Sequence, residues 1–294
     1  MGRNEIAGKG KDQTRSVIGI LGMAGSGKSQ VAAFLRRCGV PVVRLGDAVE
    51  NEVIRRGLER NAESEALVRR ELREEFGVEV LARRALAAIE ADSSPGVFAL
   101  DGVYSPEEDG VFRASLGNAY FTIAILCDRV TRYARLAARA HRPLTHEQAL
   151  QRDLDEIHSL RKADCIVLAD HFVLNNAEFD DLLRSVLRKI VDQLRHSSGE
   201  GEIEWMNLAP EKLVKELASG RGARLDLTWL LLARAEIEDS APLTREVCRL
   251  IGDLRYERGT EFLKNVGAKD DVKVGRSSLH RVAAESLAKL SSTT

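Results

Sequence analysis

Ser16-Val-Ile-Gly-Ile-Leu-Gly-Met-Ala-Gly-Ser-Gly-Lys-Ser29 is the stretch that settles the fold class. Its first six residues read as a short buried β-strand. From Lys28 to Arg37 the pattern turns helical, with Val31, Phe34 and Leu35 on one face. Between strand and helix, Gly22 to Ser29 fits G-x-x-x-x-G-K-[ST] at every fixed position. Glycines let such a loop turn its N–H groups inward around phosphate oxygens, and the helix N-terminus adds the positive end of its dipole. The side chain of Lys28 is placed to bridge β- and γ-phosphates, and the Ser29 hydroxyl to ligate Mg²⁺. The expected phosphate-binding set is therefore Gly22, Gly25, Ser26, Gly27, Lys28 and Ser29, with ATP as ligand and Mg²⁺ as its ion.

Outward from this loop, strands and helices alternate. Val40–Leu45, Val97–Leu100, Phe121–Leu126, and either Cys165–Leu168 or His171–Leu174 read as strands. Ala48–Arg56, Glu63–Ala91 (with Gly77 as a weak point), Arg129–Leu160 (interrupted at Pro143) and Phe179–Leu194 read as helices. This alternation predicts a P-loop NTPase fold, a three-layer α/β/α sandwich on a mostly parallel sheet. His196–Gly201 (HSSGEG) reads as a linker. Beyond it Pro210–Ala218, Leu225–Glu238, Leu243–Arg258 and Arg281–Leu290 are helical, with Asp226 and Thr244 as start signals. The expected organisation is a flexible tail over 1–15, a P-loop domain over 16–195, the linker, and a small all-helical domain over 202–294.

Length and composition agree. The chain has 294 residues, 44% hydrophobic and 30% charged, which excludes wholesale disorder and suits about two domains. Its 44 basic and 45 acidic residues give a formal net charge of -1, so no global basic field draws it to nucleic acid or anionic lipid. Aromatic residues are only 5%, too few for base-stacking platforms to dominate. Four scattered cysteines without a CxxC pair, no signal-like N-terminus and no apolar run of membrane-spanning length predict reduced thiols and a cytoplasmic protein. The histidines lack metal spacing.

A P-loop alone leaves GTPase, motor and kinase open. The chain carries no N-K-x-D and no L-S-G-G-Q element, and no strand ends in the Asp-Glu pair of typical motors, which favours a small-molecule kinase. Val17 to Asp47 resembles the opening of dephospho-coenzyme A kinases and their nucleoside-monophosphate-kinase relatives. The resemblance is closer to an archaeal dephospho-CoA-kinase-like group of P-loop proteins. Gly39–Asp47, Asp101–Tyr104, Arg142–Thr145 and Ala169–Asn175 match that group's further elements in order, over roughly residues 16–195.

The resemblance implies roles. Asp47 would face the acceptor hydroxyl, Asp101 would hold Mg²⁺ through water, and the segment at Asn175 and Asn176 would contact adenine, largely through backbone. Tyr104 would line the acceptor pocket. Leu45-Gly46-Asp47 stands where dephospho-CoA kinases carry Asp-Ala-Asp, and Gly-Asp also resembles adenylate-type kinases, so dephospho-CoA and a nucleoside monophosphate both remain open as acceptors. On a continuous helix Arg132, Arg135, Arg139 and Arg142 share one face. They read either as a solvated surface or as a lid whose arginines, Arg139 and Arg142 foremost and Arg152 beside them, neutralise the transferring phosphoryl group. Arg69 and Arg73 are further candidates for acceptor phosphates. The expectation is an ATP-dependent kinase; the alternative is a nucleotide-binding switch that signals through the C-terminal helices, where a protein partner or a second copy would dock.

Overall fold

The computed structural model describes residues 15–92, 96–140, 142–198, 228–253, 256–274 and 277–291. The expected helix Pro210–Ala218, the start signal at Asp226 and most of the linker and tail lie outside them.

β1 (Arg15–Leu21) is the central strand, paired in parallel with β3 (Gly96–Asp101) on one side and β4 (Tyr120–Leu126) on the other. β2 (Val42–Arg44) lies outside β3 and β5 (His171–Leu174) outside β4, which gives five parallel strands in the order β2-β3-β1-β4-β5. The register sets Ile20 beside Asp101 and Leu21 beside Ala124. The carboxyl end of β3 therefore stands next to the strand that enters the phosphate loop.

Successive side chains of a strand face opposite ways, and β1 is apolar on both faces because helices cover both. Ile18 and Ile20 join one core with Phe34 and Leu35 of α1 (Lys28–Arg37) and the apolar side of α9 (Phe179–Ser198). Val17 and Leu21 join the other. Its helices are α2 (Asp47–Arg55), α3 (Ala62–Phe76), α4 (Val80–Ala91), α5 (Pro106–Leu116) and α8 (Lys162–Val167). The result is the three-layer α/β/α P-loop NTPase fold.

Local chemistry explains where the elements depart from the periodic reading. The run 63–91 is two helices, because Gly77 at φ 90° ends α3 in a conformation that side-chain-bearing residues resist. The run 129–160 likewise divides into α6 (Arg129–Ala137) and α7 (His146–His158). Thr145 and Gln148 form a capping box that starts α7, so Arg-Pro-Leu-Thr is in part a helix-start signal. α5 is absent from the periodic reading. Ser105 caps it, Pro106 follows at the first turn and Glu108 sits at the third position, which is start chemistry without a strong stripe. Of the two candidates for the fifth strand, residues 162–167 are helical and His171–Leu174 is the strand. α9 runs through Ser198, into the expected linker.

Among the described residues the C-terminal region is mainly helical, with a short antiparallel pairing of Lys273–Val274 with Ser277–Ser278. Its helices are α10 (Thr228–Glu238), α11 (Ala241–Asp253), α12 (Thr260–Ala268) and α13 (Leu279–Ser291). α12 packs on α1 and α10 on α9. α9 invites this. Leu182, Leu183, Val186, Leu187, Ile190 and Val191 bury two adjacent positions per turn, a wider apolar face than a sheet alone covers. Trp229, Leu230, Leu231 and Leu232 belong to the same continuous core as Ile18 and Phe34, and Arg37 pairs with Glu236 at 3.0 Å across the contact.

Leu231→Ala is expected to cost about 2–5 kcal/mol. Because the core is continuous, circular dichroism should show one thermal transition shifted down as a whole; an unshifted separate transition would mean that the two regions unfold independently.

Candidate active site

The phosphate loop is shaped by what packs against it. Gly25 and Gly27 have φ of 80° and 106°. A Cβ at Gly25 would lie 2.8 Å from the Arg132 carbonyl oxygen, and one at Gly27 would overlap the Asn175 side-chain amide. Neither position admits a side chain on space or on conformation. Gly22 opens the loop against the Ile125 carbonyl. Inside, the Ser26 N–H and the Lys28 ammonium both donate to the Met23 carbonyl, at 3.1 and 3.0 Å. The Ser26 hydroxyl is buried without a partner and lies against Gly22, beneath the loop. Burial, reinforced by the nearby Lys162 ammonium, lowers Lys28 to about 7.

Above the loop opens a cleft of about 980 Å³. The loop and Ser29 form its floor, with Asp101 and Tyr104 at the end of β3, Arg135 and Arg139 from α6 and the turn beyond it, Arg152 and Glu156 from α7, and Lys162 at the start of α8. Arg36, Arg44, Glu50, Glu65 and Arg69 line it further out. Six arginines and two lysines stand against four carboxylates, so the lining is cationic although the whole chain is nearly neutral. Tyr104 is pushed up to about 12 by burial and by the Asp101 carboxylate.

Most sequence-predicted residues meet here: Gly25, Gly27, Lys28, Ser29, Asp101, Arg139 and Asn175 all line the cleft. Two do not. Asp47 begins α2 with its carboxylate 3.4 Å from Arg44, and it lines a separate hollow of about 280 Å³ between β2, α2 and α4. Its neighbour Gly46 is the one that reaches the cleft. Asp47 is also not the cap of α2, a position that Gly46 holds. Arg142 is exposed at φ 53° in the turn before Pro143, outside the cleft lining, because α6 stops at Ala137 and the shared face ends with it.

The remaining arginines divide by partner. Arg132 turns inward, gripping the Asp153 carboxylate through both terminal nitrogens at 2.9 and 2.6 Å and donating to the Ala24 carbonyl at 2.9 Å. It braces the loop from behind. Arg139 has burial and the like-charged Arg152 against it, and both lower its basicity. Arg69 lines the cleft, whereas Arg73 is turned to Glu108 at 3.1 Å. Asn175 donates from its amide to the Ser26 carbonyl at 2.7 Å, and its own N–H is taken by Leu126, so it clamps the loop.

Three further residues that line or brace the cleft stand outside the sequence-predicted set. Glu108 is fully buried. It accepts from the Tyr104 N–H at 2.9 Å and from Arg73, and so holds the loop that carries Asp101 and Tyr104. The Ser-Pro-Glu-Glu start signal points to it. Glu156 and Lys162 pair at 2.7 Å inside the cleft, and no spacing pattern marks them.

Fold and loop together define a P-loop α/β protein built around a phosphate site. A family model described as an AAA domain matches residues 18–155. A UPF0200 protein of Hyperthermus butylicus is 35% identical over 184 residues, 61% of this chain and 97% of the relative; one of Pyrococcus horikoshii is 32% identical over 182 residues, 60% and 97%. The chain belongs to the UPF0200 family. Among solved structures it is similar to shikimate kinase from Bacteroides thetaiotaomicron, with 18% identity, a TM-score of 0.41 and coverage of 61% of this chain and 98% of that one. Among the described residues no helix is long and apolar enough to cross a membrane.

The two kinds of arginine should separate in experiment. Arg132→Ala leaves Asp153 buried without its partner and is expected to cost about 3–5 kcal/mol in urea unfolding. Arg139→Ala should leave stability within about 0.5 kcal/mol, as expected for a side chain on an open cleft wall. Gly27→Ala should abolish nucleotide binding measured by calorimetry.

Proposed function

We propose that the chain is an ATP- and Mg²⁺-dependent kinase that phosphorylates a small acceptor already bearing phosphate, dephospho-CoA or a nucleoside monophosphate. The observation that carries this reading is one cleft, cationic and large enough for two substrates, whose floor is built by the phosphate-loop residues Ala24, Gly25, Gly27, Lys28 and Ser29. The loop N–H groups and Lys28 would hold the β- and γ-phosphates. Ser29 and Asp101 both face the cleft and are hard oxygen donors suited to Mg²⁺, which would neutralise phosphate charge there. Arg139, with Arg152 beside it, would stabilise charge on the phosphoryl group in flight.

In the reaction the acceptor oxygen forms a bond to the γ-phosphorus as the bond to the bridging oxygen of ADP breaks. The hydroxyl proton passes to solvent. Such transfer depends mostly on positioning and electrostatics, which a walled, cationic cleft supplies. Asp47 would take part only on release of Arg44 and rotation toward the cleft, and Arg142 only on closure of the turn between α6 and α7.

A second reading has one observation in its favour: α12 rests directly on α1, the helix that leaves the phosphate loop. A nucleotide-dependent switch read out by the C-terminal helices would use that contact. Hydrogen exchange in residues 228–291 that differs between ATP- and ADP-bound protein, without phosphoryl transfer, would favour it.

The kinase reading is checked by incubating the protein with ATP, Mg²⁺ and a panel of dephospho-CoA and nucleoside monophosphates, with products followed by mass spectrometry. A product gaining one phosphoryl group is expected, with chelation of divalent cations stopping it and Arg139→Ala slowing it about a hundredfold. Lys28→Ala should lose ATP binding. No phosphorylated product, together with unaltered ATP affinity in Lys28→Ala, would sink the reading.

A further inference from the structure

Lys162 is the least expected cation in the cleft. It is only 2% exposed, yet it lines the cavity over the phosphate loop. The turn that presents it is strained, since Arg161 just before it has φ 53°, a conformation rare for side-chain-bearing residues. Arg161 is held there by Asp164 at 2.8 Å and Glu107 at 3.2 Å. The Lys162 ammonium sits 2.7 Å from a Glu156 oxygen and 4.6 Å from the centre of the Tyr104 ring.

Glu156 also receives Arg152 at 3.2 Å, so a single carboxylate serves two cations. Lys28 and Arg139 crowd the same region, Asp101 is the other carboxylate that lines the cleft there, and Asp153 nearby is taken by Arg132. Lys28 and Lys162, both buried, and Arg139 and Arg152 at the open wall line the cleft against two carboxylates there, an imbalance that an anion would relieve. Lys162 and Arg152 each weaken a like-charged neighbour, Lys28 and Arg139, as expected where a counter-ion belongs.

We propose that Lys162 is a second phosphate-contacting lysine, a catalytic residue that binds a phosphate oxyanion above the loop, with Glu156 and Tyr104 as its positioning residues. The inference deepens the kinase reading and rests on it. The oxyanion has two sources, the γ-phosphoryl group of ATP or the phosphate already on the acceptor.

Calorimetric titration of the full chain separates them, using AMP-PNP, ADP, and inorganic phosphate added to ADP-saturated protein. Wild type, Lys162→Met and Lys162→Arg are compared. Contact with the γ-phosphoryl group predicts that Lys162→Met weakens AMP-PNP binding about 10- to 100-fold while ADP binding stays level. Contact with the acceptor phosphate predicts level AMP-PNP binding and loss of inorganic phosphate binding to the ADP form. In either case Lys162→Arg should recover most of the loss, which supports the proposal. If Lys162→Met does not fold, Lys162→Gln carries the same comparison. Unchanged binding of all three ligands, with only a lower melting temperature, means a structural ion pair and overturns the proposal alone. A wild-type chain that binds neither nucleotide overturns the kinase reading and the proposal with it.

Discussion

The loop from Gly22 to Ser29 can exist only because its backbone passes within touching distance of three separate elements. The Ile125 carbonyl from β4, the Arg132 carbonyl from α6 and the Asn175 amide beyond β5 press on Gly22, Gly25 and Gly27 in turn. Each contact requires the absence of a side chain, and each fixes part of the curve that points N–H groups inward. The order β3-β1-β4-β5 brings these supports to one edge of the sheet. Arg132, locked to Asp153 and to the Ala24 carbonyl, ties the cradle to α7 as well. A site that must meet a polyanion at defined distances is thereby pre-set by packing, and little reorganisation is left for the ligand to drive.

How much of this was legible beforehand follows from the range of the forces involved. The phosphate loop could be read because its chemistry is local: a short run of glycines, one lysine and one serine between a strand and a helix. Asp101 could be read because it ends a strand on the ligand-binding edge of a parallel sheet. Asp47 follows β2 at the same edge but begins α2 and lines a different hollow, its carboxylate paired with Arg44, three residues back. Arg142 does not share the face of Arg132 and Arg135, because α6 ends at Ala137. Lys162 and Glu156 lie six residues apart but on different helices, and their meeting depends on the turn at Arg161, which no periodicity encodes. Glu108 was the avoidable miss, since its helix-start context is written plainly in the chain.

The near-zero net charge likewise hid a strongly uneven distribution. Carboxylates satisfy arginines on outer helices, as Glu52 does for Arg55 and Arg56, while the cleft keeps its cations in excess. Such separation gives the cleft a field that attracts anions without making the whole surface adhesive.

The layering of α10 to α13 over α1 and α9 has a consequence during synthesis. A ribosome releases residues in order, and the apolar face of α9 lacks the cover of Trp229 to Leu232 and the helices after them until those residues emerge. At ordinary elongation rates of roughly 5–20 residues per second that interval lasts several seconds. The nascent chain therefore carries a sticky, nearly complete nucleotide fold whose last layer arrives late, and its yield in a cell should depend on chaperones that shelter that face in the meantime.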